Sequence, residues 1–117
     1  MMIQSPPAVK TRQTNRRSST RHACALSVRF QVVGFHTDVG RPAVSHDLSV
    51  SGVGLLTRQP IRPGTCLRVY LNATDGDAGV ARAVVVRHFT REGPDRWLVG
   101  CSFSQELTEK ELFALLD

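Results

Sequence analysis

From Leu26 onward the chain repeats one arrangement: short runs of alternating apolar and polar residues, separated by clusters of glycine, proline, serine and aspartate. Leu26, Val28, Phe30 and Val32 fall on one side of the first run, with Ser27, Arg29 and Gln31 on the other. A period of two is the pattern of a strand with one buried face. Similar runs follow at Ala43–Leu48, Val53–Thr57, Cys66–Asn72, Val80–Phe89 and Trp97–Phe103. Between them Gly34–Pro42 reads as a loop, Ser49–Gly52 as a turn, and Gln59–Gly64 as a loop because its two prolines remove ladder donors. Thr74–Asp77 has Asp–Gly at its centre, a hairpin signal, and Gly93–Asp95 turns the chain again. Short strands at regular spacing hide their apolar faces most simply by closing on themselves, so the expected fold is mainly β: a six-stranded antiparallel barrel.

The period then changes. Leu112, Phe113, Leu115 and Leu116 fall on one helical face, and Thr108 and Glu111 have the spacing of a capping box. This short C-terminal α-helix needs cover for its apolar face, which the barrel supplies. Val80–Phe89 is apolar enough to be buried on much of both faces, and Trp97 and Phe103, in phase on the last strand, read as core.

A chain of 117 residues accommodates one domain, and 41% apolar with 21% charged residues is the composition of a soluble globular protein. No run approaches the ~20 apolar residues of a membrane span. The charge is uneven: residues 1–37 hold Lys10, Arg12, Arg16, Arg17, Arg21 and Arg29 and no carboxylate, while residues 38–117 hold nine basic and ten acidic groups. A localised cationic cluster implies an anionic partner. The acid-poor N-terminus shares its composition with organelle transit peptides, but Pro6 and Pro7 interrupt any amphipathic helix, and no apolar secretory core follows the start. Cys24, Cys66 and Cys101 are odd in number and widely spaced, and read as reduced, mostly buried thiols of a cytoplasmic protein. The expected organisation is a flexible basic tail over residues 1–15 and one domain over 16–117. Within that domain an arginine segment covers 16–22, the barrel 23–104 and the helix 106–117.

Two motifs stand out within this frame. Arg17 and Arg21 in NRRSSTRH form an RxxxR pair, preceded by Arg16, and Asp47, Ser49 and Gly52 in HDLSVSGVGL form DxSxxG at a strand end. Either alone is common, the first in basic tails and the second in any turn. In this order, ahead of a strand-rich pattern closing on WLVGCSFSQELTEKELFALL, they resemble the PilZ domain family over residues 16–116. The resemblance implies a bacterial PilZ-type β-barrel that binds cyclic di-GMP on its outer surface through Arg17, Arg21, Asp47, Ser49 and Gly52. It also implies that Arg16, just before the pair, favours two stacked nucleotides per site.

The residue types suit that ligand. A guanidinium is a planar fork that pairs with guanine O6 and N7, bonds phosphate or stacks on a purine. Asp47 is an acceptor for the N1–H and N2–H2 donors that arginine cannot read. Ser49 can donate or accept toward base or phosphate, and Gly52 admits a close backbone approach or a positive φ. The tail lacks apolar residues that could offset its ordering entropy, so it is expected to be mobile when empty and to wrap the ligand when bound. Such a site requires Asp47 and the stretch after Arg21 to lie on one side of the molecule.

No metal ligand spacing joins His22, Cys24, His36 and His46. His46 and Asp47 are adjacent on a strand, point to opposite faces and do not converge, so no triad with Ser49 is expected. There is no phosphate-cradling loop and no catalytic carboxylate pair, which makes the protein a non-enzymatic binder without metal or cofactor. Arg82 and Arg87 lie in different phases of one strand, and sequence does not distinguish which reaches the ligand-bearing surface. The expected output is a noncovalent contact with a downstream protein, from a monomer or weak dimer. Two other functions fit the pattern: a PilZ-like interaction module without nucleotide binding, and a barrel that binds single-stranded nucleic acid. The latter is disfavoured by few aromatics, most of them in apolar phase, and by charge placed on the tail.

Overall fold

The computed structural model describes residues 20–34, 40–73 and 79–116. The strands in chain order are β1 (His22–Ala23), β2 (Ser27–Val32), β3 (Arg41–Leu48), β4 (Gly52–Thr57), β5 (Cys66–Asn72), β6 (Gly79–Gly93) and β7 (Arg96–Phe103), followed by the helix α1 (Glu109–Leu116). All pairings are antiparallel and run β3–β2–β5–β6–β7–β4, with β4 returning to β3. Six strands therefore close into a barrel, which removes the exposed edges an open sheet would leave. β1 is an addition to the ring: it pairs with β3 beyond the point where β2 ends.

Alternation decides what fills the interior. Val28 and Phe30 of β2, Val53 and Leu55 of β4, and Leu67, Val69 and Leu71 of β5 are buried, as are Val84 and Val86 of β6 and Val99, Cys101 and Phe103 of β7. Each such side chain contributes roughly 1.5–3 kcal/mol through burial. Leu107, Leu112 and Leu115 join the same core. Phe113, expected on the helix's apolar face, is 56% exposed instead. The face is narrower than the sequence implied because only Leu112 and Leu115, three residues apart, turn fully inward, with Leu116 half-buried.

Four other expectations change. Pro42 lies inside β3, opposite Arg29, on the stretch that has β2 but not β4 as a neighbour, a semi-edge position that tolerates a missing donor. β6 runs to Gly93, and only Val84 and Val86 are fully buried along it. Its distal half pairs with β7 as a ribbon, where Phe89 meets Trp97 edge to face at 5.5 Å and the Arg91 guanidinium lies 5.8 Å from the Trp97 ring. Trp97 is thus a half-buried flank of the core. Of the thiols, only Cys101 is buried, which pushes it up to about 12; Cys24 is intermediate and Cys66 exposed, since it occupies an outward position of β5. The Thr74–Asp77 hairpin and residues 1–19 lie outside the described residues.

The capping box forms as expected. Glu111 N–H donates to Thr108 Oγ1 at 3.0 Å, and Thr108 N–H donates to Glu111 Oε1 at 2.9 Å. Arg82 Nη2 donates to that same carboxylate oxygen at 2.6 Å, tying the helix to β6. The Thr108 amide, then Arg82, holds the Glu111 carboxyl below its ordinary value of 4.5. A group whose folded value is depressed stabilises above its unfolded value and loses that contribution as pH falls. Glu111→Ala is accordingly expected to cost about 1 kcal/mol at pH 7, with the difference from the parent shrinking below about pH 4; urea melts at the two pH values check it.

Candidate functional site

The site begins with a defect in β3. Ser45 pairs with Leu55 of β4 and Asp47 with Gly54, so His46 is an extra residue, a β-bulge. The bulge overturns the expectation that His46 and Asp47 diverge: His46 Nδ1–H donates to Asp47 Oδ2 at 2.8 Å. Regular alternation would have separated them, and the bulge suspends it locally. Opposite Asp47, Gly54 has no side chain, and a Cβ there would lie 3.1 Å from both carboxylate oxygens. The carboxylate therefore leans over β4 into space that any other residue would restrict.

Ser45 fixes the root of the arginine segment. It is 2% exposed; its hydroxyl donates to the Cys24 carbonyl and accepts from Leu26 N–H at 2.8 Å. Backbone bonds from Ser45 N–H to the Leu26 carbonyl (3.0 Å) and from Cys24 N–H to the His46 carbonyl (3.3 Å) complete the clamp. With His22 opposite Leu48 and Ala23 opposite Asp47, the chain leaves β1 beside the DxSxxG strand end. Arg21 Nη1 then donates to Asp47 Oδ1. One residue from each motif is thus in contact, on one side of the molecule. The arginine side chain is 53% exposed and the carboxylate 18%, so the pair contributes about 1 kcal/mol or less. Arg16 and Arg17 lie outside the described residues.

The other two motif residues build the turn. Ser49 is fully buried, and its Oγ accepts from Ser51 N–H and Gly52 N–H, both at 3.2 Å, while its own N–H donates to the Gly52 carbonyl at 2.9 Å. Its hydroxyl is occupied by the backbone it shapes. Gly52 has no positive φ; a Cβ on it would meet the Cys101 carbonyl oxygen well inside 3.0 Å. The close approach expected of this glycine is made to the neighbouring strand β7.

The two uncertain arginines separate cleanly. Arg82 is taken by Glu111 and by the Gln105 carbonyl at 3.1 Å, on the helix side. Arg87 Nε donates at 3.1 Å to Oγ of Ser102, the residue paired with Gly52, so Arg87 is the one that shares the motif surface. Sequence alternation put them in different phases but could not say which wall bears the motifs, and Arg87 is itself the extra residue of a second bulge, between Val86 and His88. Ser45 was missed altogether, since a serine in strand phase carries no signal of the backbone it will clamp.

An open groove of about 1150 Å3 lies between Pro42–Val44, Leu56–Gln59 and the end of the β6–β7 ribbon, but it contains no motif residue. Among the described residues no group of three His, Cys, Asp or Glu could hold a metal ion, and no helix is long and apolar enough to cross a membrane.

Three solved structures are similar to this fold. The Bacillus subtilis inhibitor of motility MotI/DgrA matches with a TM-score of 0.65 at 16% identity, over 86% of this chain and 48% of its own. MrkH of K. pneumonia in its apo state matches with a TM-score of 0.61 at 19% identity, over 99% and 53%. The PilZ domain of CeSA from a cellulose-synthesizing bacterium matches with a TM-score of 0.55 at 17% identity, over 84% and 92%. The chain spans about half the length of the first two. No curated protein matches it in sequence. The family profile of the PilZ domain matches residues 15–117, from the asparagine before the arginine cluster to the end of the chain. With this match over most of its length, and with Arg21 and Asp47, one residue of each motif, in contact on a closed six-stranded barrel, the chain belongs to the PilZ domain family.

Proposed function

We propose that this chain is a receptor for cyclic di-GMP that converts nucleotide binding into a change in its N-terminal segment, which a downstream protein reads. The observation that carries this is the Arg21–Asp47 contact: a cation from one motif and an acceptor from the other share one rim. In the structure they satisfy each other. The nucleotide supplies better partners for both, guanine N1–H and N2–H2 for Asp47 and phosphate or the O6/N7 edge for Arg21. Since the exposed pair is worth about 1 kcal/mol or less, exchanging it costs little. Arg17, four residues before Arg21, supplies a second guanidinium to the ligand, and Arg16 favours two stacked nucleotides per site, which the stoichiometry of a titration reads. Ser49 and Gly52 act in the site by fixing the turn that follows Asp47. The role is binding and regulation, with no catalytic step.

Arg21→Ala is expected to weaken cyclic di-GMP binding about 10- to 100-fold, at ~1.4 kcal/mol per tenfold, with hardly any change in thermal midpoint. Calorimetric titration of the purified chain measures both affinity and stoichiometry. Equal affinity for the variant would make the arginine segment a bystander. A guanine-reading site should also reject cyclic di-AMP and tolerate moderate salt, whereas a binder of single-stranded nucleic acid would lose affinity steeply as ionic strength rises.

A further inference from the structure

Four strands meet in one register row on the outer wall: Asp47 of β3 opposite Gly54 of β4, Gly54 opposite Gly100 of β7, and Gly100 opposite His88 of β6. The two central positions have no side chains. A Cβ on Gly100 would lie 2.6 Å from His88 Nε2 and 3.0 Å from Nδ1, so the imidazole reclines over β7 with its Cε1–Nε2 edge leading. From the opposite end the Asp47 carboxylate leans over Gly54. The two glycines therefore form a backbone shelf without side chains of its own, overlaid by a carboxylate at one end and by an imidazole at the other. Cross-strand Cβ positions are about 4.5–5.5 Å apart. His88 Nε2 therefore lies at most about 11 Å from the Asp47 oxygens.

One flat base with a hydrogen bond at either edge falls within that limit once the imidazole swings outward from Gly100. Asp47 reads the N1–H and N2–H2 edge of guanine; the opposite edge presents two acceptors, N7 and O6. A neutral imidazole supplies one donor. His88 is exposed, and among the described residues no hydrogen bond or ion pair to another side chain competes for its ring. We infer that His88 is a base-reading residue of the nucleotide site, donating to N7 of the guanine whose other edge rests on Asp47. This assignment rests on the cyclic di-GMP reading above, and it places the base along the row of Gly54 and Gly100 with the imidazole turned outward from β7. A histidine over a cross-strand glycine can equally serve to shield backbone, so the test must move something that shielding would not.

The experiment is a chemical cycle read by calorimetry: parent protein and His88→Ala, each titrated with cyclic di-GMP and with its 7-deazaguanine analogue, which lacks the N7 acceptor. His88→Ala is expected to lower affinity for cyclic di-GMP about tenfold. The analogue should lose a similar factor against the parent and little against the variant. His88→Gln, which keeps a donor, should restore most of the affinity, and His88→Phe should not. Thermal melts of the variants confirm that each is folded. Parent protein that fails to bind cyclic di-GMP overturns the receptor reading itself. Binding by the parent with unchanged affinity for His88→Ala, equal analogue losses in both proteins, or rescue by Phe overturns the His88 assignment and leaves the receptor reading standing.

Discussion

Gly52→Ala is expected to lower the unfolding free energy by about 3 kcal/mol, the largest stability effect of any single methyl group added to the site. The reason is collision with backbone. The new Cβ would meet the Cys101 carbonyl oxygen well inside 3.0 Å, with the Cys101 carbonyl carbon at 3.4 Å and Ser102 Cα at 3.5 Å behind it. Neither strand can yield without cost, because Gly52 opens the β4–β7 seam opposite Ser102 and its N–H is held by Ser49. The adjacent turn is pinned as well, by Phe103 N–H on the Ser51 carbonyl and Leu107 N–H on the Val50 carbonyl, both at 2.9 Å. Gly100→Ala is the control. Its added methyl also finds an atom too close, but that atom belongs to the imidazole of His88, which can swing outward. The control is expected to lose less than about 1 kcal/mol, as a surface change with a mobile neighbour. Chemical denaturation of both variants measures the contrast, and similar losses in the two would show that the seam relaxes as easily as a side chain.

That contrast also shows where sequence stops being informative. The alternation of Val28 and Phe30, of Leu67, Val69 and Leu71, and of Val99, Cys101 and Phe103 specifies which faces turn inward, because burial on one side of a strand leaves a period of two. The closed barrel and the capped helix follow from such runs, and the pair of motifs points to the rim where Arg21 meets Asp47. What escapes is whatever depends on register between distant strands. Two bulges, at His46 and between Val86 and His88, change the phase of the side chains that come after them, and nothing local in residues 45–47 or 86–88 announces them. Gly54 and Gly100 are equally silent, since each reads as an ordinary strand glycine until β4 and β7 are seen to place them side by side. Ser49 and Gly52 were legible as a turn, and their partners, the turn amides and the Cys101 carbonyl, were not.

Asp47→Ala should produce the largest effect on binding: affinity for cyclic di-GMP is expected to fall about 100-fold, at roughly 1.5–3 kcal/mol for each hydrogen bond to a charged acceptor. The carboxylate occupies a place that no neighbour can fill. Gly54 opposite has no side chain, and the adjoining groups, Arg21 and His46, offer donors where guanine also offers donors. Removing it therefore leaves the N1–H and N2–H2 edge without an acceptor and surrounds it with like-natured groups. Adenine gains nothing from a carboxylate at its N1 acceptor, so cyclic di-AMP binding should not weaken, and the preference for guanine should collapse by nearly the whole factor. Stability is expected to change by less than about 1 kcal/mol, since Arg21 and His46 are half-exposed and return to water. The selectivity ratio is the sharper measurement, because a general loosening of the rim would weaken both nucleotides together. A variant that binds cyclic di-GMP poorly yet keeps its full preference over cyclic di-AMP would assign guanine recognition to another group on the shelf and reduce Asp47 to an anchor for Arg21.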